Sequence, residues 1–142
     1  MKFPAFDYAA PDSLAEVVAL LAAHGEDAMV LAGGQSLMPI LAFRMAAPRL
    51  LVDLKKVPAL DRIDIGAEGV TLGARSRWCD IERHAGLAAA HPLLAEATRH
   101  IAHYQIRNRG TVGGSLALAD PAAELPGVAV ACDALLTLAG PG

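Results

Sequence analysis

Ala32-Gly33-Gly34-Gln35-Ser36-Leu37-Met38-Pro39 decides the reading of this chain, together with a second glycine pair about eighty positions on, Thr111-Val112-Gly113-Gly114-Ser115-Leu116. Each stretch reads as a tight backbone turn in which glycine takes positive φ and lets a ligand lie against the main chain. Consecutive N–H groups in such a turn form a nest of donors, and a nest of donors suits an anion. Two such loops brought together are expected to form one anion site, for which a dinucleotide pyrophosphate is the fitting occupant.

The surrounding sequence supplies the frame. Ser13-Leu14-Ala15-Glu16 reads as a capping box, Leu14, Val17, Val18 and Leu21 follow at helical spacing, and Gly25 is a stop. Met29–Ala32 reads as a short buried strand delivering the first glycine loop, Leu37–Ala46 as a turn of helix interrupted by Pro39, and Leu50–Leu54 as the next strand. These strands are apolar on both faces, as in a covered sheet. Lys55–Leu60, holding Pro58, is a joint. Beyond it, strands are expected at Arg62–Ile65 and Val70–Ala74 around Gly66-Ala67-Glu68-Gly69. Helices are expected at Arg77–His84, Pro92–Ala102 and Pro121–Cys132, and a last strand at Leu135–Leu138. The expectation is an α+β fold in two subdomains, 1–58 with the first glycine loop and 59–142 with the second.

The two glycine strings, their order and their separation, with Ala119-Asp120-Pro121 and Glu124 after the second, resemble the flavoprotein (medium) subunit of the molybdenum hydroxylases, the family of carbon monoxide dehydrogenase and the xanthine dehydrogenases. The similarity runs from Phe6-Asp7-Tyr8 through Asp53-Leu54 to Leu138 and looks like the N-terminal half of such a subunit, without the family's C-terminal domain. It implies the two-subdomain FAD-binding fold of the vanillyl-alcohol oxidase type. It also implies a role: Ala32, Gly33, Gly34, Gln35, Ser36 and Leu37 meet the FAD pyrophosphate through backbone amides and the serine hydroxyl. Thr111, Gly113, Gly114 and Ser115 meet the adenosine diphosphate portion and ribityl oxygens. Register places Ile101 and Ala102 beside the isoalloxazine ring, with Ile101 aliphatic where some relatives stack an aromatic; an ordinary core position is the other reading. Asp120 and Glu124 accept from sugar hydroxyls, while residue chemistry alone makes Asp120 a helix cap with Pro121 at the first helical position. Arg107-Asn108-Arg109 reads either as a phosphate grip or, as in the family, as support for the loop.

By the same resemblance, a substrate is hydroxylated at a molybdopterin on a large subunit, electrons pass through [2Fe–2S] clusters on a small subunit, and FAD on this chain hands them to an external acceptor. The expected assembly is a dimer of heterotrimers. Two rivals stay open: a self-contained flavin oxidoreductase of the same fold, and a truncated flavin-free assembly domain.

Composition bounds the rest. A chain of 142 residues with 54% hydrophobic residues holds one sizeable core, and its apolar excess points to a face covered by further chain or by partners. The longest run free of acidic and basic residues, Ala28–Phe43, is broken by glycines and Pro39, so no membrane span is expected. A net charge of −3 argues against nucleic acid, and Met1-Lys2-Phe3-Pro4 shows no signal core, giving a cytoplasmic expectation. Cys79 and Cys132 stand alone and read as small buried hydrophobes, whereas a [2Fe–2S] cluster takes about four ligands. His100 and His103 lack companions for a metal site, and His24, His84 and His91 read as helix-end residues suited to the dipole.

Overall fold

The computed structural model describes residues 2–141. It divides into two units, one formed by residues up to Pro58 with the tail from Leu136, the other by Ala59–Leu135.

The first unit is built on a three-stranded parallel sheet in the order β1-β3-β2, where β1 is Asp7–Ala9, β2 is Ala28–Leu31 and β3 is Leu50–Asp53. All four residues of β3 are buried, which is why its sequence is an unbroken apolar run ending in one aspartate. Helix α1, Leu14–His24, crosses from β1 to β2 and lies against β2 and β3. Its ends follow the sequence signals. Ser13 Oγ accepts from the Glu16 N–H at 3.2 Å, and Gly25, at φ +51°, turns its N–H onto the Leu21 carbonyl. Helix α2, Leu37–Ala42, leaves the first glycine loop and buries Leu41 completely. Pro39 falls in its first turn, where a missing N–H costs nothing.

Strand β1 has no counterpart among the expected elements. Its three residues are too short for a legible alternation, and it is recruited by pairing Asp7, Tyr8 and Ala9 with Leu50, Leu51 and Val52.

The second unit opens with the expected hairpin, β4 (Ile63–Gly66) and β5 (Gly69–Leu72), paired antiparallel from Ile63↔Leu72 to Gly66↔Gly69. Helices α3 (Trp78–Arg83), α4 (Leu87–Ala90), α5 (Pro92–His100), α6 (Tyr104–Arg107), α7 (Val112–Leu118) and α8 (Glu124–Ala131) follow. Their core gathers Trp78, Ile81, Leu87, Leu94, Ile101, Val112 and Leu125, with Ile63, Val70 and Leu72 of the hairpin packed on it.

Several expectations are corrected here. Helix α5 stops at His100 because Ile101 is extended and Ala102 takes φ +43°. Helix α8 begins at Glu124 and not at Pro121. Asp120 Oδ1 accepts from the Ala122 N–H at 2.9 Å, forming a local turn that leaves Ala123 as the N-cap residue. No strand forms over Leu135–Leu138; Leu135 and Leu138 are almost fully exposed. Cys79 is buried as expected, but Cys132 is exposed at the end of α8. His91 is an acceptor cap at a helix N-terminus, its Nδ1 taking the Leu94 N–H at 3.2 Å, where a residue suited to the C-terminal end of the dipole was expected.

Candidate functional site

The first glycine loop starts where β2 ends, beside Asp53, the β3 residue paired with Leu31. Gly34 has φ +71°, and a Cβ there would come within 3.3 Å of Leu31 Cδ1 and 3.4 Å of Met38 Cγ. Both glycine carbonyls of the loop are engaged: Gly33 C=O accepts from Gln35 Nε2 at 3.1 Å, and Gly34 C=O accepts from the Met38 N–H at 3.1 Å. Its amides are not. Among the described residues, the N–H groups of Gly33, Gly34, Gln35, Ser36 and Leu37 have no protein acceptor, and the exposed Ser36 makes no side-chain cap. Five consecutive donors without a protein acceptor around one left-handed glycine make this loop the candidate anion site. The loop as folded therefore fits a pyrophosphate.

The second glycine pair is built differently from its sequence reading. Gly113 and Gly114 lie in the first turn of α7, and neither has positive φ. Their amides are satisfied internally, as are those flanking them. Val112 donates to the Ser76 carbonyl at 3.0 Å, Gly113 to Ala74 at 2.8 Å, Gly114 to Thr111 Oγ1 at 3.2 Å and Ser115 to the Thr111 carbonyl at 3.0 Å. The glycines are needed for close approach instead. A Cβ on Gly113 would sit 2.7 Å from Ala74 Cβ, one on Gly114 2.9 Å from Thr111 Oγ1, and one on Gly110 2.7 Å from Trp78 Nε1. Thr111 N–H, in a residue only 6% exposed, and Ser115 Oγ have no protein partner among the described residues. Thr111 faces Arg77 across an antiparallel bridge whose hydrogen bonds are made by Trp78 with Gly110 and Val112 with Ser76. Thr111 is thus the non-bonded member of the bridge, and its own N–H points away from Arg77.

The carboxylates differ in setting. Glu124 is half-buried as the first residue of α8, which packs on α7, and has no protein partner among the described residues. Asp120 is exposed, with one oxygen used on Ala122 N–H.

Ile101 places its side chain in the core, while Ala102 is exposed in a left-handed turn that a non-glycine residue enters only at a cost. Arg107 holds that turn. Its Nη1 donates to the Ile101 carbonyl at 3.1 Å and reaches the Ala102 carbonyl at 3.3 Å, while Nε lies 3.0 Å from Glu82 Oε1. Arg107 therefore supports the Ile101–Ala102 turn, a segment other than the glycine loop it was expected to support. Glu82 escaped the sequence reading because nothing local links it to a residue 25 positions on.

Also missed was the end of the first sheet. Tyr8 Oη donates to Asp53 Oδ2 at 2.6 Å, the Lys55 N–H donates to Asp53 Oδ1 at 2.8 Å, and Lys55 Nζ donates to Tyr8 Oη at 2.5 Å. Accepted by the Tyr8 hydroxyl and close to Asp53, the Lys55 ammonium is held above its ordinary pKa. A polar residue closing a buried apolar strand was the available signal. In the second unit, burial pushes the Asp80 carboxyl up, but hydrogen bonds from Arg77 at 2.7 and 3.0 Å and its charge outweigh that and leave it below the usual range. Burial pushes the neighbouring Cys79 thiol up. His100 faces Glu96 at 3.2 Å and His103 faces Gln105 at 2.8 Å. Among the described residues no cluster could hold a metal ion, and no helix is long and apolar enough to cross a membrane.

A two-unit α+β frame with an open amide loop after a parallel strand is an architecture that suits a dinucleotide-binding module. Comparison with known proteins specifies it. Residues 4–142 match the FAD binding domain in molybdopterin dehydrogenase, and the chain belongs to that family. The 6-hydroxypseudooxynicotine dehydrogenase complex subunit alpha of Paenarthrobacter nicotinovorans is 50% identical over 137 residues, 96% of this chain and 46% of the relative. The solved carbon monoxide dehydrogenase of Hydrogenophaga pseudoflava superposes with a TM-score of 0.89 at 43% identity, over 92% of this chain and 46% of the other. Quinoline 2-oxidoreductase of Pseudomonas putida 86 does so with a TM-score of 0.85 at 48% identity, over 89% and 44%. The expected family and FAD-binding fold are therefore those of this chain, which spans about half the length of the curated relatives it matches.

Proposed function

We propose that this chain binds FAD and works as the flavoprotein part of a multi-subunit molybdenum hydroxylase. The observation that carries the reading is the row of unpartnered amides from Gly33 to Leu37 in a chain of the FAD-binding family. In the first unit, Ala32, Gly33, Gly34, Gln35 and Leu37 offer main chain to the pyrophosphate, and the exposed Ser36 hydroxyl adds a donor. In the second, Thr111 N–H and Ser115 Oγ bind phosphate or ribityl oxygens, while Gly113 and Gly114 permit the packing that presents them. Glu124, and less directly Asp120, accept from sugar hydroxyls, and the Ala102 turn beside Ile101 borders the ring.

Bound FAD supplies the redox chemistry, collecting single electrons and releasing pairs. The chain's residues bind and orient; the reading requires no proton-transfer group among them. The partners are a large subunit with molybdopterin and a small subunit with [2Fe–2S] clusters, the donor of the electrons that leave for an external acceptor. The assembly is a dimer of heterotrimers in the cytoplasm. The names of relatives, among them a dehydrogenase complex subunit alpha and a carbon monoxide dehydrogenase medium chain, support a place in a multi-subunit complex.

The test is direct. The purified chain should show oxidised-flavin absorption near ~450 nm and should co-purify with the two partner subunits when all are co-expressed. A chain that stays colourless after equilibration with FAD, alone and with its partners, contradicts the cofactor reading. A flavin-loaded chain that stays monomeric beside them contradicts the assembly.

A further inference from the structure

The side chain of Gln35 reaches back two residues, and its Nε2 lies 3.1 Å from the Gly33 carbonyl oxygen. A carbonyl accepts only, so the nitrogen of the carboxamide must face it. In a trans peptide the C=O and the following N–H point in opposite directions, and the described chain has no cis bond. Holding the Gly33 carbonyl therefore turns the Gly34 N–H to the other side. The next peptide is held in the same manner, with the Gly34 carbonyl on the Met38 N–H at 3.1 Å, and this turns out the Gln35 N–H. Of these two fastenings, one is made by main chain and comes with α2. The other depends on one side chain, at a glycine pair with no Cβ to restrict it.

We propose that Gln35 is a positioning residue: its carboxamide locks the Gly33–Gly34 peptide so that the Gly34 amide is aimed into the anion-binding face of the loop before any ligand arrives. The inference rests on the FAD reading and adds to it a role for the side chain of Gln35, apart from that of its amide. Without the lock, the Gly33–Gly34 peptide samples orientations in which that donor is turned away, and the ligand must select the productive one, which lowers its apparent affinity by the fraction so populated. Glutamine has the reach and a neutral donor. Glutamate has the same length but no donor, and it adds a negative charge beside an anion.

The test compares the full chain with Gln35→Met and Gln35→Glu by titration with FAD and, separately, with ADP, and follows backbone amide resonances of the unliganded proteins. Gln35→Met should bind both ligands roughly three- to tenfold more weakly, the scale of one lost neutral hydrogen bond. Gln35→Glu should bind both more weakly still. In the unliganded Gln35→Met protein the Gly34 amide resonance should move while those of β3 stay in place, a signature that general destabilisation would not give. Wild-type dissociation constants in Gln35→Met overturn the proposal and leave the FAD reading standing. So does a ligand-affinity loss with the Gly34 amide unmoved, because the side chain then contacts the ligand itself. A wild-type chain that binds neither FAD nor ADP removes both.

Discussion

Gly113 stands against Ala74 so closely that a Cβ on Gly113 would lie 2.7 Å from the Ala74 Cβ, and its N–H donates to the Ala74 carbonyl at 2.8 Å. The pair joins the start of α7 to the turn after β5. Gly113→Ala should therefore act on stability before it acts on any ligand. The expected loss is about 1–3 kcal/mol, the range for overpacking a fitted contact, seen as a lower urea midpoint. Gly114→Ala meets only the Thr111 hydroxyl, at 2.9 Å, and should cost less. Equal midpoints for Gly113→Ala and wild type would show that the close approach is not required.

Gly34 is the contrasting case, since its glycine requirement is one of backbone conformation. At φ +71° any side chain is strained, and a β-branched one most of all. Gly34→Val should lose FAD by at least tenfold, since each ~1.4 kcal/mol of strain placed on the liganded loop is a factor of ten. The core of the first unit, Val17, Leu41 and β3, should keep its hydrogen-exchange protection. Flavin titration with exchange on the same sample checks both halves. Retention of wild-type affinity would count against this loop as the anion site.

These two glycine pairs show what the sequence made legible. Pair one and pair two read alike as strings, yet one is an open turn and the other a helix start whose donors are spent on Ala74, Ser76 and Thr111. The difference lies in a turn almost forty residues earlier in the chain, which no local pattern announces. Elements fixed by local chemistry were legible: α1 by Ser13 and Gly25, β3 by its apolar run, the hairpin by Gly66 and Gly69. Helices α4 and α6, of four residues each, are too short to carry a period. Asp120 was expected to cap a helix and heads a turn, because the same side-chain bond serves either purpose. The clamp of Arg107 on Ile101 and Ala102 needed the fold, since its anchor, Glu82, comes from α3.

That clamp gives a further expectation. The Arg107 side chain is 18% exposed and that of Glu82 26%, on a residue that is exposed as a whole. Arg107→Met leaves Glu82 without its ion and two carbonyls without their donor. The loss should be about 1.5–3 kcal/mol, the range for hydrogen bonds to charged groups, read by thermal or urea unfolding. Exchange at the amides of 101–104 should rise more than elsewhere in the second unit. Uniform change across the unit would speak against a local clamp.

Asp80 gives a pH dependence of defined sign. Its folded pKa lies below the ordinary 3.8, so its pairing with Arg77 stabilises the fold above that value and the benefit fades as pH falls through the folded value. The pair is substantially solvent-exposed, so Asp80→Asn should cost under about 1 kcal/mol at pH 7. The difference between wild type and Asp80→Asn should shrink on acidification below the ordinary value. A difference that grows with acid would reverse the assignment.

Glu124 separates ligand from scaffold most cleanly. It is the first residue of α8 and half-buried, and no protein group among the described residues bonds its carboxylate. Two roles fit that position. As a first-turn acid it favours the helix dipole, an effect of a few tenths of a kcal/mol at a partly exposed site. As a ligand to FAD it accepts from a sugar hydroxyl, and a hydrogen bond to an ionised acceptor is worth on the order of 1.5–3 kcal/mol. Glu124→Gln keeps the size and removes the charge. If the carboxylate holds a sugar hydroxyl, FAD should bind roughly ten- to a hundredfold more weakly, while the unfolding midpoint barely moves. If it serves only the helix, the midpoint shifts slightly and the affinity stays. Asp120, exposed and already bonded to Ala122, should show a smaller affinity loss in Asp120→Asn, which keeps the acceptor for that turn. Titrating deflavinated wild type, Glu124→Gln and Asp120→Asn with FAD, with urea curves on the same preparations, decides among these roles. Equal dissociation constants for wild type and Glu124→Gln would leave the open amides of Gly33 to Leu37, with Thr111 and Ser115, to hold the cofactor.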